Sequence, residues 1–449
     1  GRLLGRSGRE EAAAGTGEGD WTPVKRSIGL SQAIALTITA VLGSGILFLP
    51  AATATVAGPA SILSWMIMIL FSFPLAYTFA AMSRSFPDAG GAATFVRMAL
   101  GEHAGNLVGW FYFLTAAVGQ MIVSLTGAGY IGTAFHLSSA QIAWIACSIL
   151  FISGVSNHFG IRVSGKVSLV LSAILLSLLC TAIVITLPSV RLEHFQPFVP
   201  HGWYPVGKAV IMIFWSFFGW EAICNLADRF KHPEKELVRS AMISALVIGV
   251  VFLLLSMMTV GSKVYGNSAI DSSPVGVMVH RVFGFGAQLV TAVLALILCI
   301  GTVNAFVASL NQPGYALSRD QAFPSWFYHL NHRTGTPTRV VWLVILFAGF
   351  GVILTTLLNI HFTQLLPIPN SLGMVVYIFS MAAALKLYNK NSGPWISALT
   401  TLIMIGLFSP FLGMHILVPF TVSGMYFLKN VRRATSIKSN KEGADEAPT

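Results

Sequence analysis

Charge is scarce in this sequence, and negative charge most of all. Asp and Glu together number 16 in 449 residues, and charged residues of every kind make up 10%. Soluble domains carry about 25% charged residues, so a water-soluble globule is excluded. Cysteine is rare as well. Cys147, Cys180, Cys224 and Cys299 all fall inside apolar segments, where they read as small buried hydrophobes, neither a disulfide framework nor a metal site. The chain has no phosphate loop, no metal-ligand spacing and no Ser/His/Asp set with a soluble domain to hold it. An ATP-binding module and enzymatic chemistry are therefore not expected, nor is a cofactor.

Hydrophobic residues, by contrast, make up 55% and the mean hydropathy is +0.75, the composition of a polytopic membrane protein. The net charge of +11 comes from basic residues scattered over loops and tails, which fits membrane topology better than nucleic acid. Apolar segments run near 28–57, 60–84, 104–131, 139–157, 163–187, 206–228, 239–260, 284–316, 338–358, 361–387, 393–411 and 412–430. Twelve spans are thus expected. Residues 1–27, rich in Gly, Ala, Glu and Arg, read as a disordered tail, and 431–449 as a second tail. The first apolar segment is too long for a secretory signal and reads as retained. The stretch Ala92–Leu100 reads as an amphipathic piece before span 3. With the N-terminus inside, 23 of the 27 Lys and Arg fall on the cytoplasmic side, and only Arg191, Lys208, Lys263 and Arg281 lie outside. That asymmetry puts both termini in the cytoplasm of a cell (inner or plasma) membrane protein.

Two of the spans are interrupted. Gly43-Ser44-Gly45 sits near mid-depth of the first, and glycine weakens a helix by roughly 1 kcal/mol relative to Ala. A break in hydrocarbon frees backbone N–H and C=O groups, which is tolerated where they line a cavity or bind something. Bare amides at the start of a half-helix suit an anion, and carbonyls ending one suit a cation. A carboxylate and an ammonium side by side describe an amino acid. The alternative is a packing notch for a neighbouring helix. Near the start of span 6 comes a second break, Phe214-Trp215-Ser216-Phe217-Phe218-Gly219-Trp220-Glu221. Interrupted helices at corresponding places in two halves point to a transporter's midplane site.

These breaks, Gly43-Ser44-Gly45 and the Phe217-x-Gly219-x-Glu221 spacing, resemble those of the amino acid–polyamine–organocation (APC) transporters. Three further stretches resemble family signatures: Pro87-x-Ala89-Gly90-Gly91, Phe230-Lys231-His232-Pro233-Glu234-Lys235, and Tyr315-Ala316-Leu317-Ser318-Arg319-Asp320 with Thr334-Gly335-Thr336-Pro337. The branch is most similar to bacterial exporters of neutral, branched-chain or sulfur-containing amino acids such as methionine. Since span 1 runs outward and span 6 inward, two five-span units of opposite direction follow. The expected fold is an all-α integral membrane protein with 12 transmembrane helices. It has a 5+5 inverted (LeuT-like) repeat, residues 28–187 against 206–387, with broken helices 1 and 6 and helices 11–12 added over 393–430.

The resemblance implies that Gly43, Ser44 and Gly45 hold a substrate carboxylate, and that carbonyls near Val41, Trp215 and Phe218 take its ammonium. Trp215, Phe217, Phe218 and Phe306 would set side-chain selectivity around Gly219, with Asn304 and Gln120 as polar candidates. Glu221 is the single Asp or Glu inside a span. An intramembrane acid costs on the order of 2.5–3.5 kcal/mol, so it reads as a proton-coupling or gating group, or else as a neutral acid bonded to a neighbouring helix. A dibasic substrate needs a carboxylate for its distal charge, so neutral substrates are favoured. Many relatives carry a lysine inside span 5; here the matching region, Ser172-Ala173-Ile174-Leu175, is apolar, and Lys166 lies near the span end. His158, His361 and His415 stand near span ends and read as interfacial. The expected function is alternating-access secondary transport of neutral amino acids, proton-linked or by exchange. An amine or cationic amino acid antiporter is the alternative, or a membrane amino acid sensor or partner-dependent subunit. Expected partners are the small-molecule amino acid, protons and the lipid bilayer, with a homodimer allowed and no nucleic acid.

Overall fold

The computed structural model describes residues 29–86, 91–160, 165–225, 227, 230–309 and 338–430. Both tails lie outside these residues, as do most of the Pro87 signature and the 315–337 signatures. Among the described residues every regular element is helical. In chain order they are α1 (Leu30–Val41), α2 (Leu49–Ala57), α3 (Ser61–Ser85), α4 (Ala92–Leu100), α5 (Glu102–Phe135), α6 (Ser139–His158), α7 (Gly165–Thr186) and α8 (Tyr204–Ile213). There follow α9 (Pro233–Gly261), α10 (Ser268–Ser272), α11 (Pro274–Phe283), α12 (Phe285–Ser309), α13 (Thr338–Leu357), α14 (Pro367–Leu387), α15 (Gly393–Phe408) and α16 (417–430).

Nine helical stretches among the described residues are long and apolar enough to cross a membrane. Two of them, Leu49–Ser85 and Gly393–Asn430, exceed 35 residues, more than the ~20 that a bilayer needs. Each contains a turn, at Gly58 (φ 66°) and at Gly413 (φ 56°) respectively. The apolar stretch 204–217 is shorter because its helix stops at Ile213.

The sequence boundaries fall within a few residues of the helices, with differences that have local causes. α9 starts at Pro233, ahead of the expected 239, because proline suits the first helical turn. α5 extends to Phe135, and Ser138 then opens α6 through a capping box with Gln141. The end of span 8 beyond Ser309 is outside the described residues. The loop between α9 and α12 holds two short helices, α10 and α11, with Asn267 capping the first.

Packing is extensive between α5 and α12, α3 and α9, α6 and α13, and α2 and α8. The side chains between them form one large apolar core that includes Trp65, Phe71, Phe79, Phe214 and Phe252. Large apolar side chains also face outward, among them Leu346, Phe350, Leu407 and Phe420. In water such faces would be costly; in lipid they are the contact surface. Among the described residues, Asp271 of α10 is buried, as Glu221 is. Burial pushes the Asp271 carboxyl above the usual carboxylate range, against the lowering effect of hydrogen bonds from Thr55 and Gly266.

Candidate functional site: two broken helices in contact

The first break falls where the triplet predicts. α1 ends at Val41, the Gly43 amide turns back to the Val41 carbonyl at 2.7 Å, and a 3-10 turn at Ser44–Leu47 leads to α2. A helical first turn leaves its N–H groups without intrahelical partners. Among the described residues the Ser44 and Gly45 amides donate no hydrogen bond outside that turn. Ser44 is buried and its hydroxyl has no partner.

The second break follows α8. A 3-10 turn at Phe214–Phe217 gives way to extended Phe218, then Gly219 at φ 128°, then a further 3-10 segment at Trp220–Asn225. A Cβ at residue 219 would lie 2.5 Å from the Ala40 carbonyl oxygen. Only glycine combines that φ with so close an approach to the end of α1.

The two breaks touch. A Cβ at Gly45 would run into Ser216 Oγ and stand 2.9 Å from Trp215 Cδ1. The Ser216 hydroxyl, like that of Ser44, is buried without a partner. The Trp215 indole lies against the α5 backbone at Gly119, where a Cβ would come within 2.6 Å of its Cη2. Its ring centroid is 6.3 Å from Phe218 and 6.5 Å from Phe306. Beside Gly119, fully buried Gln120 donates to Ala116 at 3.4 Å and keeps an unpartnered Oε1. The structure therefore brings Val41, Gly43, Ser44, Gly45, Trp215, Phe218, Gly219 and Phe306 around one centre, with Gln120 next to Gly119 on α5.

Two candidates point elsewhere. The Phe217 ring packs edge-on against Phe252 of α9, centroids 5.5 Å apart, and is fully buried there. Asn304 accepts from Asn157 of α6 at 2.8 Å, which ties its side-chain oxygen to a neighbouring helix.

Glu221 sits at the edge of the second break. Its Oε2 accepts from the Gly219 amide at 3.0 Å and from the Tyr377 hydroxyl at 2.6 Å, and its Oε1 bonds the Tyr112 hydroxyl. Tyr377 also lies 3.2 Å from the Phe217 carbonyl oxygen, and the Phe218 ring is seated on Gly373 of the same helix. Among the described residues no cation pairs with this carboxyl. Hydroxyls and one amide stabilise it instead, the way a buried acid is tolerated. Tyr112, Tyr377, Gly119 and Gly373 are absent from the sequence reading, and Ser216 appears there only as part of the second break. The glycines carried a signal in principle, since small residues on a span mark close approach.

Apolar helices long enough to cross a membrane, packed around two shorter interrupted segments that meet beside orphaned polar atoms, make a polytopic membrane protein with a buried central site. The chain belongs to the amino acid permease family, whose sequence model matches residues 28–435. It is 36% identical to YecA of Bacillus subtilis, an uncharacterised amino acid permease, over 90% of this chain and 96% of that one. It is 26% identical to the L-methionine/branched-chain amino acid exporter YjeH of Escherichia coli, over 81% and 87%. The putrescine transporter PotE of Escherichia coli is 24% identical over 79% and 82%. These relatives are permeases and transporters, so this chain is a multi-pass membrane transporter and not an enzyme.

Proposed function

We propose that the chain is a secondary active transporter of neutral amino acids, hydrophobic, branched-chain or methionine-like, working by alternating access about its two broken helices. The carrying observation is the contact of the two breaks, with free amides at Ser44 and Gly45 and buried, unpartnered oxygens on Ser44, Ser216 and Gln120. Buried polar groups without partners cost about 1–3 kcal/mol each, a cost that a zwitterion arriving between the breaks offsets. Gly43, Ser44 and Gly45 would take the carboxylate, and the carbonyls of Val41, Trp215 and Phe218 the ammonium. Trp215, Phe218 and Phe306 would wall the side chain, with Gln120 beside them; Gly219 sets the approach of the second break, and Phe217 anchors it to α9.

In this reading there are twelve crossings, with α1 and α2 as halves of span 1, the broken segment from α8 to Asn225 as span 6, and α15 and α16 as spans 11 and 12. An inverted repeat of spans 1–5 on 6–10 is supported by the packing of α2 on α8, α3 on α9, α5 on α12 and α6 on α13. These are spans 1 with 6, 2 with 7, 3 with 8 and 4 with 9. The charge asymmetry supports termini in the cytoplasm.

Likeness to a putrescine transporter favours one competing reading, a diamine antiporter. A diamine needs carboxylates for its charges. Among the described residues the acid assigned to membrane depth, Glu221, already has both oxygens engaged by Tyr112, Tyr377 and Gly219, which supports the neutral substrate. A thermal-shift screen of the purified chain decides between them. L-leucine, L-isoleucine, L-valine and L-methionine should raise its melting temperature, and putrescine and L-arginine should not. Phe306→Ala should then reorder the neutral amino acids by about 1–3 kcal/mol, the usual worth of pocket methylenes. Stabilisation by putrescine alone would favour the competing reading, and an unchanged order in the variant would make Phe306 a packing residue.

A further inference from the structure

A cavity lies away from the breaks, beside the short helices α10 and α11. It has a volume of about 730 Å³ and is bounded by α10, α11 and the adjoining ends of α5, α6, α12 and α13. Under the orientation proposed above this is the extracellular end. The volume falls within the range of about 300–1,000 Å³ typical of small-molecule pockets.

The lining defines the chemistry of an occupant. It includes no Asp or Glu, so a cationic ligand finds no counter-charge and would be desolvated at a cost; its titratable groups are His136, His280 and His361. Its floor is apolar, made by Leu125, Val277 and Phe362. Gln288 of α12 also lines the cavity. That residue is 93% buried by its 7% exposure, and among the described residues its amide makes no hydrogen bond. The other inner hydroxyls are satisfied locally: Thr355 by Val352, Thr133 by Ala269, and Ser272 by Ser268 and His361. An unpaired amide offers both a donor and an acceptor. It suits a molecule that is neutral overall and carries both kinds of polar group beside an apolar part, which a neutral amino acid does.

Two features connect this cavity to the first break. Its floor ring, Phe362, stacks edge-on with Phe48 at a centroid distance of 4.9 Å, and Phe48 directly follows the Ser44–Leu47 turn. One layer of rings thus separates the cavity from the break. In addition, Thr55 of α2 donates to Asp271 of α10 at 2.7 Å, which fastens the roof to the outer half of the broken helix.

We propose that the cavity is a second binding site for the neutral amino acid held by the breaks, an outer waiting site whose principal polar contact is the Gln288 amide. This rests on the neutral amino acid reading above. The test is equilibrium dialysis of tritiated L-leucine and L-methionine against the full chain in lipid nanodiscs. Wild type should bind two equivalents, Gln288→Leu one, and Gly45→Leu one. Adding Gln288→Leu to Gly45→Leu should weaken the remaining equivalent about tenfold or more, roughly 1.4 kcal/mol. A single equivalent that Gly45→Leu abolishes would overturn the outer site and leave the central one standing. An equivalent that survives Gly45→Leu and ignores Gln288→Leu would also overturn it. If wild type binds neither amino acid, the neutral-substrate reading itself fails and takes this proposal with it. Thr356→Cys at the cavity wall gives a readout that leaves Gln288 and both breaks unchanged: L-leucine should slow thiol labelling at 356, read by peptide mass, and an unchanged rate contradicts the proposal.

Discussion

Gly45→Leu should abolish binding of neutral amino acids at the central site while leaving the protein folded in the membrane. An added Cβ meets Ser216 Oγ and lies 2.9 Å from Trp215 Cδ1, and the rest of the leucine side chain would occupy the place assigned to the carboxylate. Overpacking of this kind costs about 1–3 kcal/mol of stability, borne by a core that spans the whole bundle. The effect on binding is larger, because the amides of Ser44 and Gly45 become inaccessible. The same substitution at Gly349 of α13, where an added Cβ meets nothing within 4 Å, should leave binding as in wild type. The check is saturation binding on detergent-purified protein with monodisperse elution as the control for folding. Wild-type affinity at the central site in Gly45→Leu would reduce the triplet to a packing notch.

Glu221→Gln should separate proton response from substrate binding. The change keeps the size and much of the hydrogen bonding at the Tyr112–Glu221–Tyr377 cluster but fixes the group neutral. Substrate affinity should stay within about tenfold, roughly 1.4 kcal/mol, because no role in holding the zwitterion is assigned to this carboxyl. The pH dependence of net uptake should flatten, and substrate-for-substrate exchange should suffer less, since exchange need not return an empty carrier. Uptake into proteoliposomes at several pH values, with and without an imposed proton gradient, measures both. A variant with the wild-type pH profile would make Glu221 a structural acid whose work is to tie α5 and α14 to the second break.

The two breaks were legible in the chain because glycine and serine at membrane depth are locally anomalous, and no distant information is needed to see that. What each aromatic side chain does beyond the break was not. Helical periodicity assigns faces only while the helix continues, and between Phe214 and Gly219 the backbone passes from 3-10 turn to extended to positive φ. Phe217 and Phe218, adjacent in sequence, accordingly part company, one to Phe252 and the other to Tyr377 and Gly373. Tyr112 and Tyr377 escaped notice for another reason: a tyrosine on a long apolar helix is ordinary, and only the fold brings residues 109 and 156 positions away onto Glu221. The same holds for the Asn157–Asn304 pair. Asp271 reads as a solvated loop acid until α10 is seen to fold it against Thr55.

Counterflow in liposomes containing only this chain tests the central claim most directly. Vesicles loaded with millimolar unlabelled L-leucine or L-methionine and diluted into trace labelled substrate should accumulate label transiently. Loading with putrescine or L-arginine should not drive that accumulation, and Gly45→Leu should show none. Counterflow driven by putrescine and not by neutral amino acids, or label that only binds and never overshoots, would contradict the account.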